Sequence, residues 1–484
     1  MMNIVQMIIG GKDDAAASGA TFARKNPITG EVVTTAAAAS AEDAIAAADA
    51  ANAAFPAWAA LGPNERRGLL LKAADRFEAL TGEFIATMTS ETGATRPWGG
   101  FNVHLATSIL REAASLTTQI SGEVIPSDRP GCIAMSMRQP VGVVLGIAPW
   151  NAPVILGVRS IATPLACGNT VILKASEMCP KTHQLIGEAM RDAGFPDGVV
   201  NIVTNAPEDA SEVVAKLIEH KAVKRINFTG STKVGKIIAE LSAKELKPVL
   251  LELGGKAPFI VLDDADLDQA VAAAGFGAFM NSGQICMSTE RIILDDSIAD
   301  LFVEKFKAKV TTLTAGDPKT NNHPLGSVVD LSAAEHIAKL IKDAVEKGAE
   351  LYGADEAHGT ILSAAMLDHV TPEMRIYGEE TFGPITTIVR VSGDDEAVRV
   401  ANDTEYGLTS AVFTRDTARG LRIAKRIEAG MCHINGPTVH DEAQMPFGGM
   451  KASGYGRFGG NAGISEFTEL RWITIDTVPG HYPI

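Results

Sequence analysis

The chain has 484 residues, of which 46% are hydrophobic and 21% are charged, and its formal net charge is −15. Such a chain can bury a large core and is expected to divide into two or three units, which excludes an intrinsically disordered protein. Nucleic-acid binding is also disfavoured, because it requires clustered Lys and Arg to neutralise phosphates, and the sequence has no such cluster.

The five cysteines do not follow a disulfide framework or a zinc-binding pattern. They are odd in number and scattered, with no CxxC or Cys/His ligand spacing. This usage is typical of a reducing compartment, and the N-terminal sequence lacks the basic and apolar regions of a secretory signal. We therefore expect a cytoplasmic protein without a metal site.

Two uncharged windows, 139–158 and 270–289, are each about as long as the ~20 residues of a membrane span. The first is interrupted by Pro149 and Pro153, and the second by Asn281. Buried segments of the fold are the better interpretation, and no membrane association is expected.

The first part of the chain predicts short strands followed by a helical scaffold. Residues 1–39 are rich in turns and alternate in polarity, and Ser40 with Asp43 three residues later resembles the capping box of a helix. Further helices are expected around 64–90 and 102–118. No residue in this part suggests chemistry.

Residues 122–140 predict a β-hairpin outside the main sheet. Two strands of alternating polarity flank a turn at 128–131. Because the apolar face of such an arm needs a partner, we expect it to pair with another subunit. The last strand, 472–476, also alternates and is a candidate to extend the same sheet, within the chain or across a subunit boundary.

The stretch from Val141 to Leu262 alternates between apolar runs and helix-length segments. Such alternation predicts βαβ units around a parallel sheet that binds ligands at the carboxyl ends of its strands, and a dinucleotide-binding domain is favoured. The apolar runs are 141–147, 170–173, 199–203, 226–228, 248–253 and 258–262, and the helical segments are near 153–166, 180–193, 208–220 and 232–243.

Two glycine-containing segments compete as the phosphate-binding loop. The one literal GxGxxG, at 454–459, follows no clear strand and opens no βαβ unit, so we interpret it as a decoy. Gly230 and Ser231 directly follow a predicted strand and begin a predicted helix. Backbone amides there could hold a pyrophosphate.

A second α/β pattern follows residue 262 and continues to about 450. Its helices are expected at 297–313 and 332–348, and its strands near 385–391 and 409–413.

The stretch 248–290 contains a candidate nucleophile and a candidate base. Cys286 follows a glycine-containing turn, and Glu252 lies in a short apolar run. A thiolate and a carboxylate could serve one carbonyl carbon. On composition alone, however, Cys286 could be a small buried core residue, Glu252 could be a paired structural acid, and Asn151 could cap a helix.

Seven motifs together resemble those of the NAD(P)-dependent aldehyde dehydrogenase superfamily, in the family's order and over essentially the whole chain. Within the family, residues 149–159 and 164–169 resemble the salicylaldehyde and vanillin dehydrogenases of the aromatic-aldehyde branch. The motifs are Pro149-Trp150-Asn151, Lys174-Ala175-Ser176-Glu177, Gly230-Ser231-Thr232, Glu252-Leu253-Gly254-Gly255-Lys256, Gly283-Gln284-Ile285-Cys286, Glu379-Glu380-Thr381-Phe382-Gly383-Pro384 and Pro446-Phe447-Gly448-Gly449.

The resemblance implies an α/β fold with a Rossmann-like parallel-sheet NAD-binding domain, a second α/β catalytic domain and a β oligomerisation arm. Residues 1–121 and 141–256 would form the first domain, 257–450 the second, and 122–140 with 465–484 the arm. It also implies a homo-oligomer, with a dimer favoured over a tetramer.

The implied reaction is NAD-dependent oxidation of an aromatic aldehyde, foremost salicylaldehyde to salicylate. Cys286 would attack the aldehyde, and Asn151 and the Cys286 backbone N–H would stabilise the thiohemiacetal oxyanion. Glu252 would then activate the water that hydrolyses the thioester.

The resemblance also assigns cofactor and substrate residues. A carboxylate at Glu177 would repel a 2′-phosphate, which favours NAD over NADP. The implied NAD-binding residues are Trp150, Lys174, Glu177, Gly230, Ser231, Gly255, Glu380 and Phe382, and the implied substrate-pocket residues are Trp98, Arg159, Ile285, Met287 and Phe447.

Two positions depart from the common family pattern. Phe458 stands where many members carry a glutamate, so we expect a second carboxylate to be missing and Glu252 to be the sole base. Arg159 stands where lysine is common, and it either assists a substrate hydroxyl or pairs with a nearby acid. The alternatives are a vanillin, benzaldehyde or semialdehyde dehydrogenase and, from another class, a non-catalytic NAD-binding structural relative.

Overall fold

The computed structural model describes residues 4–320, 323–354 and 358–484. Its strands are β1 (Met7–Ile9), β2 (Lys12–Asp14), β3 (Thr21–Lys25), β4 (Val32–Ala37), β5 (Glu123–Ile125), β6 (Cys132–Pro140), β7 (Val143–Ile147), β8 (Thr170–Lys174), β9 (Val200–Val203), β10 (Val223–Thr229), β11 (Val249–Glu252), β12 (Ala257–Val261), β13 (Thr289–Asp295), β14 (Glu350–Gly353), β15 (Ala365–Asp368), β16 (Ile385–Val391), β17 (Thr409–Phe413), β18 (Met431–Ile434), β19 (Gly454–Tyr455) and β20 (Thr468–Asp476).

The α-helices connect these strands and cover the two large sheets. They are α1 (Ala41–Ala59), α2 (Pro63–Ala79), α3 (Thr81–Thr92), α4 (Arg96–Leu116), α5 (Pro153–Ala166), α6 (Pro180–Asp192), α7 (Ala210–Glu219), α8 (Thr232–Lys244), α9 (Leu267–Phe279), α10 (Asp296–Val310), α11 (Leu331–Glu346), α12 (Arg375–Gly378), α13 (Gly393–Asn402), α14 (Thr417–Ala424) and α15 (Gly460–Glu466).

The first sheet has the order β19-β11-β10-β7-β8-β9-β1-β2, and the five strands from β11 to β9 run parallel. Every residue of β7 and β8 is buried, as expected for parallel strands covered on both faces. The chain proceeds outward through β8 and β9 on one side of β7, and places β10 and β11 on the other side. The carboxyl ends of β7 and β10 therefore form a topological switch point, where α/β sheets bind ligands.

The second sheet has the order β14-β15-β16-β13-β12-β17-β18 and is parallel except for β14. The predicted α/β class is confirmed, and β16 and β17 occupy the predicted positions. The alternation pattern grouped the apolar run at 258–262 with the first sheet, whereas it forms β12 of this sheet, on the side of residue 256 where the family resemblance also places it. A local apolar run does not tell which sheet will accept the strand.

The helical scaffold forms, with two corrected boundaries. Ser40 and Asp43 make the expected capping box, in which the Ser40 N–H donates to Asp43 Oδ2 at 2.7 Å. The single helix predicted at 64–90 is two helices, because Leu80 leaves helical geometry between α2 and α3 (φ −92°, ψ 7°). α4 begins before the predicted residue 102, and Thr95 caps it by accepting from the Trp98 N–H at 3.4 Å.

The predicted hairpin is confirmed as β5 and β6, and it forms a separate three-stranded sheet with β20. β20 pairs antiparallel with β6 from Thr468 opposite Pro140 to Asp476 opposite Cys132. The last strand therefore joins the hairpin of its own chain.

None of the helices in the described ranges is long and apolar enough to cross a membrane. The uncharged window at 139–158 contains β7 and the first turns of α5, and the window at 270–289 contains most of α9.

Candidate active site

Cys286 lies where two cavities meet. A cavity of about 280 Å³, here called the cleft, opens at the carboxyl ends of β7, β10 and β11. A second cavity of about 180 Å³, here called the pocket, lies between α4, α5 and the loops around Cys286. Asn151, Leu156 and Cys286 line both cavities, so a molecule in either one would contact the thiol.

The loop before Cys286 is held in a conformation that residues with side chains rarely adopt. Asn281 and Ser282 have left-handed backbones, with φ values of 50° and 56°. The Gln284 side chain fixes the loop by donating to the Ser327 carbonyl at 3.1 Å and accepting from the Val329 N–H at 2.9 Å. Such strain persists only where the surroundings enforce it, and it is concentrated at functional sites.

The Asn151 side chain points toward the cysteine loop. Its Nδ2 donates to the Gln284 carbonyl at 3.0 Å, and its backbone carbonyl accepts from Trp98 Nε1 at 2.9 Å and Asn281 Nδ2 at 3.0 Å. The residue that caps α5 is Ala152, so Asn151 does not serve as a helix cap. The Cys286 backbone N–H donates no hydrogen bond within the described ranges, which leaves a donor directly beside the thiol.

Glu252 ends β11 and is almost completely buried, with 1% of its surface exposed. Its Oε1 accepts from the Gly449 N–H at 3.2 Å, and its Oε2 has no hydrogen-bond partner among the described residues. Burial raises the pKa of Glu252 to about 8, although Arg159 and Arg457 oppose the shift. A carboxyl that titrates near neutral pH is well suited to general-base catalysis. Glu252 does not itself line either cavity.

The Cys286 thiol is in an environment that disfavours its charged form. Burial, followed by the nearby Glu252 and Glu380 carboxyls, raises the pKa of the Cys286 thiol far above its ordinary value. The thiol is therefore neutral until a base takes its proton. Cys167 and Cys179 are buried in the core and line neither cavity, as expected for structural cysteines.

Arg159 forms a buried ion pair with Asp441, a residue that the sequence analysis did not identify. The Nη2–Oδ2 distance is 2.5 Å, and the two side chains are only 6% and 7% exposed. The guanidinium also lies over the Phe447 ring, 4.5 Å from its centroid. Both charged residues line the pocket.

Asp441 adds a buried carboxylate to the pocket, but it is paired with Arg159, so the expectation that Glu252 is the sole base stays a prediction. Phe458 is indeed apolar and 2% exposed, but Asp441 supplies a buried carboxylate from a different segment. The available signal was the acidic pair Asp441-Glu442 shortly before the pocket residue Phe447.

The loop that carries Glu380 and Phe382 is anchored by a buried ion pair. Lys256 Nζ lies 2.5 Å from Glu290 Oε2, and Glu290 accepts from the Thr381 N–H at 2.9 Å. This support holds Phe382 in a left-handed backbone (φ 49°), with its ring edge-on to Trp150 at 5.8 Å between centroids. The loop therefore forms a rigid wall of the cleft.

Glu380 and Gly255 support each other. Glu380 accepts from the Gly255 N–H at 2.8 Å, and burial raises the pKa of Glu380 to about 8. Gly255 does not line the cleft, in contrast to the neighbouring Gly254. A Cβ at Gly255 would lie 2.3 Å from the Cys286 carbonyl oxygen, so only glycine permits this close approach.

Lys174 ends β8 and forms an ion pair with Glu177, and neither residue lines the cleft or the pocket. Glu177 also accepts from Asn205 Nδ2 at 2.9 Å. Burial alone would raise the pKa of Glu177, but Lys174 together with the other hydrogen bonds to the carboxylate lowers it, so the carboxylate is charged at neutral pH.

The remaining residues that the resemblance assigned to the cofactor or the substrate each line one of the two cavities. Trp150, Gly230, Ser231, Glu380 and Phe382 line the cleft, and Trp98, Arg159, Ile285, Met287 and Phe447 line the pocket. The sequence analysis assigned no site role to further lining residues, among them Pro149, Thr229, Leu253 and Gly254 in the cleft and Phe101, Leu105, Phe276, Met280 and Val439 in the pocket.

A cysteine between an apolar pocket and a cleft at a sheet switch point is the arrangement expected of a dehydrogenase that acts through a covalent intermediate. Residues 15–473 match the model of the aldehyde dehydrogenase family, and the chain belongs to this family.

Individual relatives are similar over almost their full length. A vanillin dehydrogenase from Pseudomonas fluorescens is 60% identical over 480 residues, which are 99% of each chain. The structure of a salicylaldehyde dehydrogenase from Pseudomonas putida G7, complexed with salicylaldehyde, has a TM-score of 0.98 and 51% identity and covers 99% of this chain and 100% of that one. The structure of PnpE in complex with nicotinamide adenine dinucleotide has a TM-score of 0.95 and 37% identity and covers 100% of this chain and 99% of that one.

Proposed function

We propose that the protein oxidises an aromatic aldehyde to the carboxylate with NAD as the oxidant. The observation that carries this proposal is the position of Cys286 between an almost entirely apolar pocket and a cleft at the end of the parallel sheet. A flat ring suits a pocket whose walls include Trp98 and Phe447. Salicylaldehyde and vanillin are the foremost candidates, in line with the relatives named above.

Residues in the cleft and beside it support NAD as the cofactor. Ser231 caps α8 at the carboxyl end of β10, and the first N–H groups of this helix would hold the pyrophosphate. Lys174 and Glu177 would bind the adenosine ribose, where the charged Glu177 disfavours the 2′-phosphate of NADP. Glu380 and Phe382 would position the nicotinamide end. NAD, when bound, accepts the hydride that leaves the substrate carbon.

The chain's own residues would do the covalent chemistry. Cys286 loses its thiol proton to solvent water, and the resulting thiolate attacks the aldehyde carbon and forms a thiohemiacetal. The Asn151 amide and the Cys286 N–H donate to the oxyanion. Hydride departure leaves a thioester on Cys286, and Glu252 takes a proton from the water that hydrolyses it. The carboxylate product then leaves the pocket.

Replacement of the nucleophile tests this assignment. Cys286→Ala should abolish NADH production from aromatic aldehydes, because no thiohemiacetal can form. Cys432→Ala is the matched control, since Cys432 lies on β18 and lines neither cavity. NADH formation by Cys286→Ala near the wild-type rate would refute the proposed mechanism. A wild-type protein that binds NAD but gives no NADH burst would instead be a non-catalytic relative.

The substrate itself is tested by comparing kcat/KM across salicylaldehyde, vanillin, benzaldehyde and succinic semialdehyde. The pocket predicts that kcat/KM for the three aromatic aldehydes exceeds that for the semialdehyde, whose carboxylate would be buried among apolar side chains because the Arg159 guanidinium is already paired with Asp441. A higher value for succinic semialdehyde would overturn the aromatic assignment.

We also propose that the protein is a homo-oligomer, with a dimer favoured over a tetramer. The three-stranded arm exposes large apolar side chains that a lone chain would leave in water, including Val124 at 79%, Leu470 at 59% and Trp472 at 77% exposure. Light scattering tests this, and a monomeric mass would contradict it.

A further inference from the structure

The pocket contains one charged feature, which the chemistry at Cys286 does not use. Arg159 and Asp441 are the charged residues among its lining, and the rest of the wall beyond Asn151 and Cys286 is apolar. A pocket that served only to hold an unsubstituted ring would not need a buried ion pair, because two desolvated charges are costly to bury.

The ion pair leaves one carboxylate oxygen of Asp441 free. Oδ2 pairs with Arg159 at 2.5 Å, whereas Oδ1 is buried and has no hydrogen-bond partner within the described ranges. The Asp441 side chain is only 7% exposed, and contact of the Arg159 guanidinium with Phe447 at 4.5 Å holds the pair in place. A buried acceptor without a donor is unfavourable, so Oδ1 is prepared to accept from a ligand in the pocket.

We propose that Asp441 is a specificity-determining residue that accepts a hydrogen bond from the phenolic hydroxyl of a hydroxylated aromatic aldehyde. This inference rests on the proposed function and narrows its substrate class. The ligand group must be a donor, because an ether or an unsubstituted ring edge would leave Oδ1 unpaired. It must also be the neutral phenol, because a phenolate would place a second negative charge beside the carboxylate. Sites built to bond a substrate hydroxyl reject analogues that lack it.

The experiment compares each hydroxybenzaldehyde isomer with its methoxy counterpart. In the wild type, kcat/KM for at least one of the 2-, 3- and 4-hydroxy isomers should exceed that of the matching methoxybenzaldehyde by about tenfold or more. A ratio near one for all three isomers would overturn the proposal. Because this comparison uses the wild-type enzyme alone, it remains decisive even if variants at Asp441 fail to fold.

Asp441→Asn should remove the preference for a hydroxybenzaldehyde over its methoxy counterpart. The amide oxygen of the new side chain would pair with Arg159, and its NH₂ group would then face the pocket as a donor. The hydroxy-to-methoxy ratio should fall to about one or below. Retention of the wild-type ratio would refute the role of Asp441.

Glu442→Gln is the matched control for charge, since Glu442 is the adjacent exposed carboxylate and bonds His440 outside the pocket. It should keep the wild-type ratio. If the wild type oxidises neither benzaldehyde nor any hydroxybenzaldehyde, the proposed function itself fails. If it oxidises all of them equally, only the inference about Asp441 fails.

Discussion

Replacement of Glu252 by glutamine separates hydride transfer from hydrolysis. The buried Glu252 carboxyl has a pKa of about 8 and takes a proton from water only when it is ionised. With that pKa, about 9% of the carboxyl is ionised at pH 7 and about 90% at pH 9. If hydrolysis limits turnover, kcat of the wild type should therefore rise about tenfold between these pH values.

Glutamine cannot act as this base, so Glu252→Gln should lower steady-state turnover by about 10² to 10⁴. The first turnover should survive, because Cys286, Asn151 and the cleft are unchanged. Stopped-flow measurement should show one equivalent of NADH per active site followed by a very slow steady state. Glu245→Gln, an exposed residue at the end of α8, is the control and should behave like the wild type.

Two results would refute this reasoning. Loss of the NADH burst in Glu252→Gln would mean that Glu252 acts before hydride transfer, as the base that deprotonates the Cys286 thiol. A wild-type kcat that does not change between pH 6 and 9 would show either that hydrolysis is not limiting or that Glu252 does not titrate in this range. Measurement of the burst rate over the same pH range distinguishes the two.

Three further variants test a residue proposed to bind the cofactor, one that permits close packing at Cys286 and one that anchors the loop of Glu380. Glu177→Ser should raise kcat/KM for NADP relative to NAD by about tenfold, because it removes a charge that repels the 2′-phosphate. An unchanged ratio would mean that residues other than Glu177 discriminate between NAD and NADP. Gly255→Ala should lower kcat by about 10², because the added Cβ would lie 2.3 Å from the Cys286 carbonyl oxygen. Gly68→Ala is the control, since a Cβ at that position has no neighbouring atom within 4 Å, and it should keep the wild-type kcat. Equal kcat values for the two variants would contradict the close approach of Gly255 to Cys286. Lys256→Met should lower the free energy of unfolding in urea by about 3–5 kcal/mol, because it leaves Glu290 buried and unpaired. Lys305→Met removes an exposed ion pair with Asp268 and should lower the free energy of unfolding by less than about 1 kcal/mol. Similar losses for Lys256→Met and Lys305→Met would argue against a special role of the buried pair.

Several parts of the fold could be predicted because their signals are local. The uninterrupted apolar runs of β7 and β8 identified buried parallel strands, and Ser40 with Asp43 marked the start of α1. The helix break at Leu80 was missed because no proline or glycine stands at that position. The alternation pattern alone misplaced β12 in the first sheet, because sheet membership depends on which distant strand accepts the new one, and only the family resemblance set the boundary before it.

The sequence by itself determined the order of the motifs, the family resemblance and the likeness of Cys286, Glu252 and Asn151 to a nucleophile, a base and an oxyanion donor. Only the tertiary structure decided what surrounds them. Arg159 and Asp441 are separated by 282 residues, and Glu252 and Gly449 by 197, yet each pair is in contact. Periodicity and capping report interactions within a few turns of the chain, whereas a buried ion pair and an unpaired carboxylate oxygen arise only when distant segments pack together.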